Sequence, residues 1–423
     1  MSEKRNVPKL RFLEFTSTWD LPKLSEKMEI FRGASPRPKS DPLYYGGSIP
    51  RVLIEDVTRD GKYTTPKIDF LTQEGAKKSR FLPKGSVILS CSGTRVAIPG
   101  ILGVDACIHD GWLGFRNLME VENEFLYYLF VKLHERMQGE ATTGGVFNNL
   151  TTSIIRDLRL GFPSLPEQQK IAEFLTAVDR RIELLQAKKK KLEAYKKGVM
   201  QKIFAQKLRF KADDGSAFQD WEEKKLGEVY EFRTTNSFSR DKLNYDSGVY
   251  RNIHYGDIHT KFPTLLDLKK VDLPFVNEDV EIRKTFSENL VEDGDLLIAD
   301  ASEDYADIGK TIEVVNSNRQ KVLAGLHTLH AKRKQNTTEL GFGGYIMKSD
   351  GLRAQIKKIA QGTKVLSISV PRMKELDLAL PCLEEQKKIV QFLTSLDSSL
   401  ENLNQQITHT QTWKKGLLQK MFV

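Results

Sequence analysis

The amino-acid sequence predicts a mixed α/β (α+β) protein, in which two α/β modules are separated by two long antiparallel helices that pair as a coiled coil. Three observations predict this fold class. A long stretch of sequence occurs twice, each copy has the apolar period of a long helix, and shorter motifs recur in the same order outside the copies. A duplication of this kind predicts a pseudo-two-fold internal repeat.

The strongest signal is the repeated stretch itself, at residues 163–205 and 381–423. The copies align without a gap, at one constant offset, with 18 identities in 43 positions. Their apolar residues alternate by threes and fours, a period of 3.5 that is typical of a coiled-coil seam. The alternative is two unrelated amphipathic helices, each packed on its own module. The shared seam favours mutual pairing, and the intervening module favours an antiparallel arrangement. The residues predicted to pair the helices are Ile171, Leu175, Val178, Ile182 and Leu185 in the first copy, and Ile389, Leu393, Leu396, Leu400 and Leu403 in the second.

The segments before each helix repeat more faintly. The motif PKLRF at residues 8–12 matches QKLRF at 206–210, and a tryptophan follows each, at Trp19 and Trp221. Further along, LPKGSVILSCSG at 82–93 resembles VEDGDLLIADAS at 291–302. The order is therefore module, helix, module, helix, with boundaries at residues 1–163, 164–205, 206–381 and 382–423. The motif that follows the first helix also opens the chain, so we expect the two ends of the chain to lie close together.

Within the modules the patterns predict a mixture of strands and helices. Residues 50–65 read as two strands around a turn at Asp60-Gly61, a common hairpin signal. Residues 87–89 and 296–298 read as short buried strands, and residues 124–137 and 344–359 as helices.

Composition excludes several classes of protein. The 423 residues are 39% apolar, which is enough to form cores, and no apolar stretch has the length of a membrane span. The three cysteines do not form a disulfide framework, and MSEKRN at the start has no apolar segment of a secretion signal, so we expect a cytoplasmic protein. The net charge of +9 suggests a polyanionic partner, but residues 167–211 alone carry +8 and residues 212–383 carry −4.

No motif predicts a catalytic centre or a metal site. Residues 41–44 (DPLY) lack the second proline of a methyltransferase motif, and Gly341-Phe342-Gly343-Gly344 has no preceding strand. Gly309-Lys310-Thr311 resembles the end of a phosphate-binding loop, but Asp304 occupies the position of the required glycine. The histidines and cysteines are too sparse for metal coordination. The sequence therefore predicts a non-enzymatic chain that binds no metal.

The repeated PxLxEQxxIxxFL motif and the QK[IM]F…KLRF…W…KLGE junction at 201–228 resemble the specificity subunit of type I restriction–modification enzymes, over essentially the full chain. The resemblance implies that the modules are two target recognition domains, each reading one half of a split sequence in double-stranded DNA. It implies that the paired helices set the spacing and dock two DNA-adenine methyltransferase (modification) subunits, and through them the restriction (motor) subunits. This chain would bind no cofactor, because S-adenosylmethionine, ATP and Mg²⁺ would lie on those partners. The net acidic second module departs from the expectation for a DNA-binding domain.

Loops rich in basic and small polar residues are the candidates for DNA contact, because lysine and arginine bind phosphates and hydrogen-bonding side chains read base edges. Any one of these basic residues is more often a solvated surface charge, as is the lysine run at 188–191. One candidate loop spans residues 142–149. The predicted DNA-binding residues are Arg32, Arg37, Lys39, Lys77, Lys78, Arg80 and Arg95 in the first module, and Arg233, Arg240, Lys242, Arg251, Lys261 and Lys364 in the second.

Three other interpretations stay open at this point. The chain could be the recognition subunit of a related type II system with a bipartite site. It could also be a DNA-modifying enzyme with degenerate motifs, or a coiled-coil adaptor with no role in DNA binding.

Overall fold

A computed structural model describes residues 6–92, 96–142 and 150–423, with the backbone alone for 135–142. It divides into two compact units. The first comprises Met1–Ala187 and Asn404–Val423, and the second comprises Lys188–Leu403.

The first unit contains nine strands, five helices, the beginning of a sixth helix and the end of the C-terminal helix among its described residues. In chain order these elements are α1 (Leu24–Lys27), β1 (Glu29–Arg32), β2 (Tyr45–Val52), α2 (Ile54–Asp60), β3 (Tyr63–Thr64), β4 (Asp69–Leu71), α3 (Gln73–Lys78), β5 (Arg80–Leu82), β6 (Val87–Ser90), β7 (Pro99–Leu102), β8 (Ala106–Ile108), β9 (Trp112–Arg116), α4 (Asn123–Thr142), α5 (Thr152–Asp157) and α6 (Leu165–Phe204).

The second unit follows the same plan with more strands. Its elements after α6 are β10 (Glu222–Lys225), α7 (Leu226–Val229), β11 (Tyr230–Arg233), β12 (Leu243–Asn244), β13 (Arg251–Ile253), α8 (Tyr255–Thr260), β14 (Leu265–Asp267), β15 (Phe275–Val276), α9 (Lys284–Ser287), β16 (Leu296–Ala299), β17 (Ala301–Ser302), β18 (Thr311–Val315), β19 (Val322–Ala324), β20 (Thr328–Arg333), α10 (Phe342–Ile346), α11 (Asp350–Ile359), β21 (Leu366–Ser367), α12 (Val370–Lys374), β22 (Asp377–Leu380) and α13 (Leu383–Met421).

The sheets of the two units have matching strand orders. The five-stranded sheets are ordered β1-β9-β6-β7-β3 and β11-β20-β16-β18-β14, and in each the last pair is parallel. The four-stranded sheets share three strands in one order, β4-β2-β8 and β15-β13-β19, with a parallel pair at β2/β8 and at β13/β19. The fourth strand differs, because β5 is added beside β8 in the first unit and β12 beside β15 in the second. This shared topology with little sequence identity confirms the predicted internal repeat of two mixed α/β modules.

The two long helices have 40 and 39 residues, which corresponds to about 60 Å at 1.5 Å per residue. In the first unit the start of α6 packs beside the end of α13, where the Phe174 and Trp413 rings lie 5.8 Å apart. In the second unit the end of α6 packs beside the start of α13, where Val199 and Ile203 share a core with Ile389. The helices therefore run antiparallel, as the sequence predicts.

Each module packs its own helix against this pair. In the first unit Phe125 and Tyr128 of α4 are fully buried in one core with Ile171 and Leu175 of α6. In the second, Phe342 and Tyr345 of α10 are buried with Leu393 of α13. The seam residues of each long helix thus contact both the other helix and a module. Within the described part of the chain, no helix combines the length and apolar character that a membrane span requires.

Two predictions of local structure are wrong. Residues 50–65 do not form a hairpin, because α2 lies between the strands: the Asp56 carboxylate accepts the Leu53 amide at 3.0 Å, and Gly61, at φ +75°, ends the helix. Residues 344–359 form two helices rather than one, because the Ser349 hydroxyl caps the start of α11. The predicted strands at 87–89 and 296–298 and the helix at 124–137 are confirmed as β6, β16 and α4.

Candidate nucleic-acid interface

A buried arginine–glutamate–tryptophan cluster anchors the beginning of the first module to α6. Arg11, from the PKLRF motif, donates two hydrogen bonds of 2.7 Å to the Glu167 carboxylate, and the indole of Trp19 donates a third at 3.2 Å. Glu167 is 1% exposed, so its charge depends on these donors, because a buried ion without partners is unstable. The cluster holds the segment that leads into β1 on the helix.

The second unit repeats this cluster with Arg209, Glu385 and Trp221. Arg209 donates to Glu385 at 3.2 and 2.8 Å, and Trp221 donates at 3.2 Å. Glu167 and Glu385 occupy the same position in the two copies of the sequence repeat. The adjacent side-chain amides also repeat, since Gln168 donates to the Pro163 carbonyl at 2.9 Å and Gln386 to the Pro381 carbonyl at 2.8 Å. The Glu-Gln pair at the start of both long helices therefore has a structural explanation.

In the first module, two arginines contact Asp110 in the loop between β8 and β9. Arg32 donates to the Asp110 carbonyl at 2.6 Å, and Arg37 lies 3.8 Å from the Asp110 carboxylate. Ser35 donates to that carboxylate at 2.6 Å, which holds the pKa of Asp110 below its usual range. Arg51 donates to the Ser35 hydroxyl at 3.2 Å, but it is paired with the Asp69 carboxylate and its side chain is only 12% exposed. The structure thus brings the two predicted residues Arg32 and Arg37 together, and Arg51 supports the segment that holds them.

A second basic group lies on α3 and β5 of the same module. The buried Ser79 hydroxyl donates to the Ala34 carbonyl at 2.8 Å and ties this segment to the loop after β1. The predicted residues Lys78 and Arg80 flank Ser79 and are exposed. Lys77 is also exposed and pairs with Glu74 at 2.6 Å, while Lys39 is exposed in the turn after Arg37. Arg95 and residues 143–149 of the predicted loop lie outside the described residues.

In the second module, the predicted Arg240 and Lys261 are brought together by a buried carboxylate. Asp257 of α8 is 1% exposed and lies 3.1 Å from Arg240 and 3.0 Å from Lys261, both of which are more than half exposed. Burial opposes the ionisation of Asp257, but hydrogen bonds from Arg240 and Lys261 outweigh it and lower its pKa. The result is a fixed pair of exposed cations. Asp56, which begins α2 in the first module as Asp257 begins α8, pairs similarly with Arg59 at 2.9 Å.

Beside this pair the structure forms an aromatic and imidazole cluster that the sequence analysis missed. The Tyr255 ring lies 4.7 Å from that of His254, 5.9 Å from that of His259 and 5.3 Å from that of His327. His327 has φ +52°, is half exposed and lies 3.2 Å from Asp300. The signal that could have found this loop is the alignment of YYGGSIPRV at 44–52 with YDSGVYRNI at 245–253, because it places Asp257 opposite Asp56.

The other predicted basic residues of the second module do not join this cluster. Arg251 pairs with Asp272 at 2.9 Å and covers the Phe275 ring at 4.2 Å, so it supports the sheet. Arg233 pairs with Glu231 at 2.6 Å. Lys242 and Lys364 are exposed, in the segment before β12 and the turn before β21.

The predicted helix-pairing residues divide between the units. Ile171, Leu175, Val178 and Ile182 lie in the first core with Leu417 and Met421, and Ile389, Leu393 and Leu396 lie in the second core with Val199 and Ile203. Leu403 is buried, whereas Leu185 and Leu400 are only partly buried. Of the lysine run at 188–191, three residues are exposed and Lys189 is partly buried, 3.7 Å from Glu193.

Among the residues that the structure describes, no three His, Cys, Asp or Glu side chains form a group able to hold a metal ion. What the fold provides instead, once in each unit, is a module with basic loops mounted on a long helix. The chain belongs to the family described as type I restriction modification DNA specificity domain, which matches residues 16–194 and 219–409.

Two similar proteins are named as specificity subunits of type I restriction enzymes. The type I restriction enzyme MjaVIII specificity subunit of Methanocaldococcus jannaschii is 21% identical over 392 residues, which cover 89% of this chain and 88% of that protein. The MjaIX specificity subunit of the same organism is 26% identical over 247 residues, so the match spans only 54% of this chain and 55% of that protein. Neither a type II recognition subunit nor a degenerate enzyme is favoured by these similarities.

A solved structure shares the fold. The crystal structure of the type I restriction–modification system S subunit from M. genitalium has a TM-score of 0.53 and 15% identity, and the match covers 99% of both chains.

Proposed function

We propose that each module of this DNA-specificity subunit reads one half of a bipartite duplex sequence. The observation that carries this proposal is the repeat of one loop arrangement in two modules of equal topology and different surface chemistry. The first module presents Arg32 and Arg37 around Asp110, and the second presents Arg240, Lys261 and the Tyr255 cluster. Two modules that share a topology but differ in their loop residues are suited to reading two different half-sites.

The chemistry of these loops suits duplex DNA. The half-exposed Arg240 and Lys261 keep free donors after pairing with Asp257, and such donors bind phosphates or guanine edges. Their fixed position reduces the entropy lost on binding. A local positive surface of this kind is compatible with the net negative charge of the second module. DNA binding depends on the electrostatic potential at the contacting loop and not on the net charge of the whole module.

The helix pair is proposed to dock two modification subunits. Trp413 and Tyr195 are 50% and 54% exposed, and they occupy the same position in the two copies of the repeat. In the first unit Trp413 borders a groove of about 540 Å³ lined by Arg181 and His409. An exposed aromatic residue that recurs at the same repeat position supports two copies of one partner, since aromatic side chains are typical anchors of interfaces.

The catalytic steps are proposed to belong to the partners. S-adenosylmethionine would be bound by the modification subunits, and ATP and Mg²⁺ by partner subunits that include the restriction subunits. A subunit of this kind would work in the cytoplasm, where it meets chromosomal DNA.

The proposed reading by separate modules is tested by exchanging one module. Residues 206–381 are replaced by the equivalent segment of another specificity subunit, and methylated adenines are mapped after incubation with modification subunits. We expect one half of the recognised sequence to change and the other to stay. A change in both halves contradicts the proposal. The chain alone, incubated with DNA and S-adenosylmethionine, should transfer no methyl group.

The docking proposal is tested by counting bound modification subunits with native mass spectrometry. Two should bind the unaltered chain, one should bind Trp413→Ala or Tyr195→Ala, and none the double variant. Leu184→Ala is a matched control, because Leu184 is 62% exposed on α6. Two subunits on the double variant would contradict this docking surface.

A further inference from the structure

A small cavity in the second unit is lined by three cationic side chains. Its volume is about 210 Å³, and Lys310, Lys348 and Arg353 line it together with Thr311 and Asp307. All these residues belong to the second unit, between the start of β18 and α11. The cavity is smaller than the roughly 300 Å³ at which pockets for drug-sized ligands begin, so it suits a small group.

The cations are held in place almost entirely by neutral acceptors. Lys310 donates to the His259 carbonyl at 2.6 Å, and Lys348 donates to the Thr264 hydroxyl at 2.6 Å. Arg353 donates to the carbonyls of Ala306 and Ile308 at 2.9 and 2.7 Å. These bonds orient the donors without neutralising their charge.

The lining contains one carboxylate. Asp307 lies 3.7 Å from the Lys310 ammonium group, and its side chain is 49% exposed. A half-exposed acid at that distance screens one cation in part, because exposed ion pairs contribute little. The cavity therefore keeps an excess of positive charge.

The electrostatics of the cavity agree with this excess. Lys348 is exposed at the surface, but partial desolvation of its ammonium group, together with the charges of Lys196, Lys310 and Arg353 and against that of Asp397, lowers its pKa to about 8. Burial also lowers the pKa of Arg353. An anion in the cavity would relieve the cost of holding these cations together.

We propose that this cavity binds a phosphate group through Lys310, Lys348 and Arg353. Three cationic side chains that line one small cavity match a tetrahedral oxyanion that carries more than one charge. The volume and the absence of a glycine five positions before Gly309 argue against a nucleoside triphosphate.

The site belongs to the second module alone. Residues Ile98 and Val131 occupy the positions of Lys310 and Lys348 in the first module, because β7 and β18 are equivalent strands and Tyr128 is equivalent to Tyr345. The cavity also adjoins the DNA-reading loop, since Lys310 bonds to the carbonyl of His259 in α8. The phosphate can therefore come from the DNA backbone or from solution.

The test is a titration of the full chain with inorganic phosphate at constant ionic strength, followed by ³¹P NMR. Phosphate should bind the unaltered chain at least ten-fold more tightly than the Lys310→Met/Lys348→Met double variant. Lys348→Arg, which keeps the charge, should retain binding. Lys358→Met, an exposed change on α11, should leave it unchanged, and circular dichroism verifies the fold of each variant. Equal phosphate affinity in the unaltered chain and the double variant would overturn the proposal.

A duplex added to the assembled complex distinguishes the two sources. If DNA displaces the bound phosphate, and the double variant weakens duplex binding with a smaller salt dependence, the group is a backbone phosphate. If bound phosphate persists beside DNA, the site holds a free anion. Both outcomes support the site. The phosphate titration needs no DNA, so its failure and the failure of the proposed DNA reading are separate results.

Discussion

The Lys414 ammonium group of α13 lies 2.6 Å from the Asp179 carboxylate of α6 in the first unit. The hydroxyl of Tyr128, from the module, donates to the same carboxylate at 2.7 Å. In the second unit Lys196 of α6 pairs with Asp397 of α13, and Tyr345 donates to that carboxylate at 2.7 Å. Each aspartate thus joins three elements: its own helix, the other helix and a module. In the sequence, Lys196 and Lys414 occupy positions where the 3.5-residue apolar pattern of the seam is interrupted. The seam therefore includes an ion pair in each unit.

We expect Asp179→Asn to destabilise the first unit by about 1–3 kcal/mol, because it leaves the partly buried Lys414 without its counter-charge. Urea unfolding measures this loss. Lys415→Met, at the exposed neighbouring position, should change stability by less than about 0.5 kcal/mol.

A double-mutant cycle with Lys414→Met isolates the ion pair. The coupling energy should be about 1 kcal/mol or more. Additive effects of the two substitutions would show that the pair does not stabilise the contact between helices.

The two ion pairs predict how the helices can be shortened. Residues 179 and 196 on α6 have the same separation along the chain as residues 397 and 414 on α13. Removal of residues 186–192 alone makes the separation of the two ion-pair residues on α6 shorter than that on α13, so we expect a lower unfolding midpoint. Removal of residues 186–192 together with residues 404–410 keeps the two separations equal and should preserve the fold.

The paired deletion also tests the role of the helices in spacing. With modification subunits present, methylation mapping should show a changed spacer between the half-sites. An unchanged spacer in the well-folded paired deletion would contradict this role.

The N-terminal segment docks at the end of α13, where the Leu10 amide donates to the Lys420 carbonyl at 2.9 Å. Residues 206–210 follow the end of α6 with the same motif. We therefore expect a circular permutant that joins Val423 to Met1 and opens between Asp214 and Gly215, in an exposed turn, to fold with an unfolding midpoint within a few degrees of the original.

Differential scanning calorimetry compares this permutant with one opened at residue 190, inside α6. The second permutant should be clearly less stable, because it interrupts a continuous helix. Equal unfolding midpoints of the two permutants would argue against the equivalence of the junction after α6 and the new junction that joins Val423 to Met1.

The cysteines provide a test that depends on pH. Cys91 and Cys107 are 1% and 0% exposed, and burial raises the pKa of both thiols, whereas Cys382 is partly exposed. Iodoacetamide should modify Cys382 at least ten-fold faster than the other two at pH 7.5. Because the thiolate is the reactive form and burial raises the pKa of Cys91 and Cys107, these two thiols should stay slow when the pH is raised to 9.

Mass spectrometry of tryptic peptides locates the label, and urea should make all three cysteines reactive. Rapid labelling of Cys107 in the folded chain would contradict its place in the sheet.

The repeat, the long helices and the buried strands were predictable because each rests on a local period or an alignment. The hairpin at 50–65 was wrong because Asp60-Gly61 serves equally well at a hairpin turn and at the end of a helix. Here Gly61 donates to the Val57 carbonyl at 2.9 Å, a helix-ending bond that the dipeptide alone does not reveal.

The candidate site was predictable as a set of basic loops and not as a cluster. Arg240 and Lys261 both reach Asp257 because α8 places the carboxylate between them. His327 reaches Tyr255 although the two residues lie far apart in the sequence. Such contacts depend on the pairing of β19 with β13 and of β20 with β16, and no local pattern encodes them.

By itself, the sequence determined the duplication, the antiparallel helices and the resemblance to a specificity subunit, because identity at a constant offset and a 3.5-residue period are properties of the chain. Only the tertiary structure decided which charges meet. It converts Lys196 and Lys414 from gaps in an apolar seam into ion pairs, and it assembles Lys310, Lys348 and Arg353 around one cavity. The physical reason is that the free energy of a charge depends on burial and on neighbours that lie far away in sequence.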